Sequence, residues 1–464
     1  MAIEELIEFT KEKIKEFGGK EEEPKNYVFR NNTKVNALEE GGAYFGFIHP
    51  EEEPTGAYHD LCIVLFPDES DGENPWLLCL GIGSLGFKND FEIASLPGLR
   101  RSFEGIISNN GFCKTDLTDI DQPLPKEFMD RIPHLSSSLK MYSKLLPVCE
   151  ILDDPLSLKS KERIAAFLAI YAKARGWIKP RPKRLLESYT AAIKAVRTEE
   201  DINDEEKLLN LITRRKFVIL TGAPGTGKTR LAKIVSTKLN AESFFVQFHA
   251  DTDYSDFIYG IIPNLEKDTL GYKEKIGTFS KALKYAKENP NQKVLLIVDE
   301  INRANLSNIL GPIFYLFEYR LNKTEASEEI EIYPGFRIDR IPENFFMIGT
   351  MNTADRSLAV VDFALRRRFA WYELKPKPVN NDGFFLEDFQ EFQEIFFWYA
   401  NSQELNLQPG QGYFFADNED EFKLRIEYEL LPLIREYLQE QLLKPAQEEF
   451  NNYFYRRIEK NIFS

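Results

Sequence analysis

The passage from Phe217 to Thr229 constrains this chain more than any other. Phe217–Thr221 is an unbroken apolar run with Val-Ile-Leu at its centre, the pattern of a buried strand. It runs into Gly222, Ala223, Pro224, Gly225, Thr226, Gly227, Lys228 and Thr229, a complete match to GxxxxGK[ST]. Glycines at 222, 225 and 227 let backbone N–H groups turn onto phosphate oxygens. Lys228 is placed to reach the β- and γ-phosphates, and Thr229 to hold Mg²⁺. Leu231, Ile234, Val235 and Leu239 then recur at helical spacing, so the strand–loop–helix setting that the motif needs is present.

Two further strand ends carry polar groups in the order a phosphate-transfer site requires. Val294–Val298 ends in Asp299-Glu300. Paired carboxylates at the end of a buried strand are costly unless a cation sits beside them. Asp299 suits ordering of Mg²⁺ through water, and Glu300 suits polarising the attacking water. The apolar run Phe345, Phe346, Met347, Ile348 leads into Thr350, Asn352, Thr353, Asp355 and Arg356. Asn352 fits a polar group that cooperates with Glu300 on that water. Arg366, Arg367 and Arg368 follow after a short helical segment. They suit stabilising charge on a transferring phosphate, either across a subunit boundary or, less simply, within their own chain; a solvated basic helix end is the plain alternative.

Together these motifs resemble the McrB family of AAA+ GTPases. The resemblance covers roughly Phe217 to Tyr437. It is carried by Gln247-Phe-His249 with Tyr254-Ser-Asp-Phe-Ile258 and Gly260, by Asp299-Glu-Ile-Asn-Arg303 with Asn305, and by Met351-Asn-Thr-Ala-Asp-Arg-Ser357 with Ala364-Leu-Arg-Arg-Arg-Phe369. Tyr428 to Tyr437 also matches the family's C-terminal helical region. The resemblance implies that Asn352 and Asp355 organise the catalytic water and that Arg367 and Arg368 act in trans. It further implies GTP rather than ATP as substrate, a hexameric ring, and stimulation by a McrC-like nuclease subunit. Asn308 stands where the family often has Lys, Pro312 where it usually has Glu, and Gly410-Gln-Gly-Tyr-Phe414 replaces IGHSYF. No motif visibly reads a purine edge, so ATP stays open as the alternative to GTP.

At 464 residues the chain should hold two to three domains, and its 43% apolar content is ample for packed cores. Alternation of strands at Phe217–Thr221, Ser243–Phe248, Val294–Val298, Phe345–Thr350 and Phe369–Leu374 with helical stretches predicts an α/β fold with a parallel, three-layer sheet. The expected layout is an N-terminal recognition domain over 1–150, α+β or mostly β, and a helical, basic linker region over 151–204. An AAA+ P-loop NTPase core over 205–380 and a helical lid over 381–464 complete it. In the first part, strands are expected at Ala43–Ile48, Leu61–Phe66 and Trp76–Leu80, after an opening helix that stops at Gly18-Gly19. A helix is expected over Ser160–Ala174.

Net charge is −15, so any DNA contact, possibly to a modified base, has to come from a local basic patch. Lys173, Arg175, Lys179, Arg181, Lys183 and Arg184 form the best such patch, and a solvated linker explains them equally well. Aromatics such as Tyr27, Phe45, Tyr58 and Trp76, with Arg100, Arg101 and Lys114, allow base stacking, but filling a small core is the simpler use. Gly81-Ile-Gly-Ser-Leu-Gly86 formally matches GxGxxG but lacks a clean following helix, so it reads as a glycine loop. His49 and His59 stand isolated. Four cysteines without CxxC spacing, no signal-like N-terminus and no apolar run long enough to span a membrane fit a reducing cytoplasm. A second class of function, an AAA+ ATPase that remodels proteins through an N-terminal adaptor, fits the acidic charge.

Overall fold

The computed structural model describes residues 2–68, 74–178, 183–196, 203–264, 271–317, 329–354 and 366–463. The chain forms two compact units. One comprises Met1–Glu200 with Phe397–Tyr399, and the other Asp201–Phe396 with Ala400–Ser464. No helix among the described residues is long and apolar enough to cross a membrane.

In the first unit, β1 (Val28–Asn32), β2 (Tyr44–Ile48), β3 (Leu61–Phe66), β4 (Trp76–Ile82), β5 (Gly111–Cys113) and β6 (Val148–Leu152) form one antiparallel sheet, in the order β1-β2-β3-β4-β6-β5. The alternation of side chains along a strand sorts its residues between two cores. Leu61, Ile63 and Leu65 of β3 face the helices Ala2–Glu16 and Leu158–Ala174. Cys62, Val64 and Phe66 face a layer containing Phe128, Ile132, Leu135 and Leu139. Both faces are therefore covered, which is why β3 and β4 read as continuous apolar runs.

The expected boundary at residue 150 falls inside β6. The helix Leu158–Ala174, capped by the Ser157 hydroxyl accepting the Ser160 amide, is not a linker but a core element, buried without a break from Ile164 to Ala172. Tyr27, Phe45, Phe47 and Trp76 are buried, in keeping with the core reading of these aromatics. Two of the cations considered for DNA contact lie inside. Lys114 donates to the carbonyls of Asp119 and Lys144 at 2.7 Å each, and Arg175 pairs with Asp90. Lys179 and Arg181 lie outside the described residues. Of the expected glycine loop Gly81–Gly86, Gly81 and Ile82 belong to β4, and Gly83–Gly86 form a hydrogen-bonded turn after it.

In the second unit, β7 (Phe217–Gly222), β8 (Glu242–Gln247), β11 (Val294–Asp299), β14 (Phe345–Asn352) and β15 (Ala370–Glu373) form a parallel sheet. The order is β15-β7-β14-β11-β8. Alternate residues again divide. Val218, Leu220, Leu295 and Ile297 pack on helices Asp204–Arg215 and Lys228–Leu239. Phe217, Ile219, Leu296 and Val298 pack on Thr278–Glu288 and on the helical turns around Leu306–Phe317. This is the expected three-layer α/β arrangement. Two antiparallel hairpins are added to it: β9 (Tyr259–Asn264) with β10 (Gly271–Ile276), and β12 (Ile330–Tyr333) with β13 (Phe336–Ile338). Helices Leu386–Tyr399, Glu419–Arg425, Leu431–Gln439 and Gln447–Ile458 follow the sheet.

Candidate functional site

Along the chain the sheet strands run β7, β8, β11, β14, β15, yet β7 lies between β15 and β14. The chain leaves β7 for the far edge and later returns to both of its sides. In open parallel sheets the crevice at such a reversal, beyond the carboxyl ends of the strands, is where ligands bind. The polar strand ends singled out above converge there.

After β7 the loop turns through Gly225 and Gly227 at φ 78° and 85°, left-handed values that a side chain would strain. Lys228 then opens a helix whose first amides have no intrahelical partner, a natural phosphate cradle. The loop is braced from within. The Thr226 hydroxyl donates to the Ala223 carbonyl at 2.9 Å, and Lys228 Nζ donates to the carbonyls of Gly222 and Ala223, each at 2.9 Å. Burial pulls the Lys228 ammonium below the ordinary lysine value, against the opposing influence of Glu300 and Asp299. A buried cation of this kind favours an anionic ligand.

Asp299 Oδ1 accepts two hydroxyl hydrogen bonds of 2.6 Å, from Thr229 and from Thr350. Thr350 Oγ1 in turn accepts the Glu300 amide at 3.1 Å. One threonine thus ties the end of β14 to both acidic residues at the end of β11. Glu300 holds a left-handed backbone at φ 52°, a conformation that a non-glycine residue keeps only where its surroundings impose it. Its Oε2 is buried and accepts no hydrogen bond, with Arg303 Nε 3.5 Å away. Asn352 lies in register with Gly222, and its buried Oδ1 also accepts no hydrogen bond. Orphaned buried oxygens call for a ligand or a water. The oxygen donors, the lysine and the helix amides fit Mg²⁺ with a triphosphate.

Lys228, Thr229, Asp299, Glu300 and Asn352 are therefore brought together. Asp355 and Arg356 lie outside the described residues. The arginines are elsewhere. Arg366 and Arg367 are exposed, Arg366 over the Trp371 ring at 5.6 Å, and Arg368 is over Phe314 at 5.5 Å. All three precede β15, whose first residue pairs with Val218 near the start of β7. They enter the sheet at the end opposite the phosphate loop. At about 3.3 Å per strand residue the separation is on the order of 15–20 Å, beyond a side chain's reach.

A further contact was not legible from the motifs. The amides of Gly410 and Gly412 donate to the carbonyls of Pro224 and Gly225 at 2.9 Å each, and Gln411 Nε2 donates to the Thr226 carbonyl at 2.7 Å. The outward carbonyls of the phosphate loop are thus held by a segment near the chain's end. A Cβ on Gly410 would lie 2.2 Å from the Gly225 carbonyl carbon, so this approach requires glycine. The pair Gly410-x-Gly412 was the available signal.

The AAA domain family, dynein-related subfamily, matches residues 217–369. The chain is 40% identical over 201 residues to the type IV methyl-directed restriction enzyme EcoKMcrB subunit of Escherichia coli (strain K12), covering 40% of this chain and 40% of that protein. The NTPase part of this chain is thus an AAA-type domain similar to that of a McrB subunit. The type II restriction enzyme BsuMI component YdiS of Bacillus subtilis (strain 168) is 26% identical over 194 residues, covering 34% of this chain and 56% of its own. The chain thus spans about half or less of these relatives. A Thermotoga maritima RuvB mutant covers 43% of this chain and 51% of its own at 19% identity, but its TM-score of 0.24 carries no argument. The McrB-type assignment agrees with the resemblance carried by the Asp299–Arg303 and Met351–Ser357 motifs.

Proposed function

We propose that this chain is the NTP-hydrolysing ring motor and DNA-recognition subunit of a McrBC-like restriction system and works with a separate nuclease subunit. The observation that carries this reading is the Thr229–Asp299–Thr350–Glu300 array beside the phosphate loop, in a domain similar to a restriction-enzyme subunit. Lys228 and the N–H groups of residues 225–229 would hold the phosphates. Thr229 and, through water, Asp299 would hold Mg²⁺. Bound Mg²⁺ would offset negative charge on the phosphoryl group being transferred. Glu300 polarises the attacking water, and Asn352 with Asp355 fixes its position. Arg367 and Arg368 complete the site of a neighbouring subunit in the ring, taken as a hexamer. GTP is the proposed nucleotide on family resemblance, with ATP as the alternative. Glu300→Gln tests the catalytic assignment: it should abolish phosphate release while leaving nucleotide binding intact. Near-normal turnover would sink the assignment.

The second reading, an AAA+ ATPase that remodels proteins through the first unit, is favoured by the net charge of −15 and by the burial of Lys114 and Arg175. The two readings separate on DNA binding by the full chain. Phosphate contacts release counterions, so binding that weakens steeply with salt supports DNA recognition, and no binding at low salt supports the protein adaptor.

A further inference from the structure

Far apart in the sequence, His49, Asp60 and Asp90 meet at one end of the antiparallel sheet of the first unit. His49 directly follows β2, Asp60 directly precedes β3, and Asp90 lies in the connection after β4. The register that pairs Phe47 with Ile63 and Leu61 with Ile82 places all three chain segments at the same edge. One ligand atom from each residue lies within 4.8 Å of the others.

The two carboxylates are deeply buried, Asp60 at 0% and Asp90 at 2% exposure, and their environments differ. Asp90 is compensated. Arg175 pairs with both of its oxygens, and the Leu61 amide donates to Oδ2 at 2.9 Å. Asp60 is compensated on one side only. Its Oδ1 accepts the amides of Lys88, Asn89 and Asp90 at 2.7, 2.7 and 3.0 Å. Its Oδ2 is buried and accepts no hydrogen bond. Asp60 also holds a left-handed backbone at φ 71°. With Arg175 counted against Asp90 and three amides against Oδ1 of Asp60, one buried carboxylate oxygen remains without a donor. An orphaned buried oxygen calls for a water or a cation. His49 is half-buried, and the Glu51 amide donates to its Nδ1 over a long 3.3 Å, a weak bond that a metal ion could replace.

We propose that His49, Asp60 and Asp90 form a divalent transition-metal site in the first unit, independent of the Mg²⁺ site of the motor. One imidazole nitrogen and two carboxylate oxygens suit Zn²⁺ or Mn²⁺. They do not suit Mg²⁺, which prefers oxygen ligands and keeps its waters. Three ligand atoms each about 2.0–2.2 Å from one ion lie roughly 3.3–3.8 Å apart, so the cluster would tighten when it takes up the ion. Arg175 then acts as the outer partner that orients Asp90. The ion would staple the ends of β2, β3 and β4, fixing the loops at that edge.

The test uses the full chain, stripped with chelator and free of nucleotide, titrated calorimetrically with Zn²⁺ and separately with Mn²⁺. Wild type should bind one equivalent of at least one of these ions. His49→Ala removes a half-exposed ligand without touching the buried carboxylates and should weaken binding by about tenfold or more. Asp299→Ala should retain the equivalent. If wild type binds neither ion, if His49→Ala binds like wild type, or if the equivalent disappears with Asp299→Ala, the site is not where we place it.

Discussion

Thr350 is the residue on which the geometry of the two acidic groups depends, and Thr350→Val isolates that dependence. Valine keeps the β-branched shape at a position only 1% exposed, so the change removes the hydroxyl with little change of volume. What is lost is the 2.6 Å bond to Asp299 and the acceptor for the Glu300 amide. A hydrogen bond to a charged group contributes about 1.5–3 kcal/mol and a neutral one about 0.5–1.5 kcal/mol. Part of the loss appears as stability, and the rest as disorder of Asp299 and Glu300 at the moment of phosphoryl transfer. If about 1.5–3 kcal/mol falls on the transition state, turnover drops by roughly 10- to 100-fold. Nucleotide affinity should change little, since Lys228 and the loop amides are untouched. The assay is steady-state phosphate release at saturating nucleotide and Mg²⁺, paired with a fluorescent-nucleotide titration. Thr350→Ser, which keeps the hydroxyl, should recover most of the rate. Turnover of Thr350→Val within about twofold of wild type would refute the idea that this clamp positions the acidic pair.

Three other outcomes are expected. Mixing Arg367→Ala protein with Glu300→Gln protein should restore part of the phosphate release that each lacks alone, since a mixed ring contains sites with both groups intact; no restoration argues against completion in trans. Gly410→Val should lower both nucleotide affinity and turnover, because the new side chain meets the Gly225–Thr226 backbone; unchanged titration curves would show that the 410–412 segment does not brace the loop. At Asp204, burial raises the carboxyl's pKa, but bonds from Lys377 and Tyr372 outweigh it and hold the group below the ordinary value. Its contribution to stability is therefore present above that ordinary value and is lost as pH falls through the lowered one. Denaturation followed against pH should show Asp204→Asn losing stability at neutral pH and less of it on acidification.

The motor's sheet was legible because each central strand is a short apolar run buried on both faces and ending in polar residues. Phe217–Thr221 and Val294–Val298 differ from the observed β7 and β11 by one residue each. The hairpins β9–β10 and β12–β13 were missed, because Tyr259–Asn264 and Gly271–Ile276 mix exposed and half-buried positions and lack a clean apolar face. Lys228, Thr229, Asp299, Glu300 and Asn352 could be named from spacing, since each sits at a fixed offset from a strand. The role of Thr350 could not, because it arises only where β11 and β14 lie side by side. Nor could the contact of Gln411 with Thr226, 185 residues away. In the first unit, Glu150 interrupts the apolar pattern of β6 and hid that strand. Arg175 read as a surface cation, because nothing in its neighbourhood along the chain announces Asp90, its partner in the connection after β4.

The central claim, an NTP-hydrolysing ring, is tested most directly by phosphate release from the purified chain with GTP and ATP side by side, over a range of protein concentrations and against Glu300→Gln. The account predicts release with GTP exceeding that with ATP, and activity per subunit that rises with concentration as rings assemble. Release no greater than that of Glu300→Gln with either nucleotide, at every concentration, would contradict it.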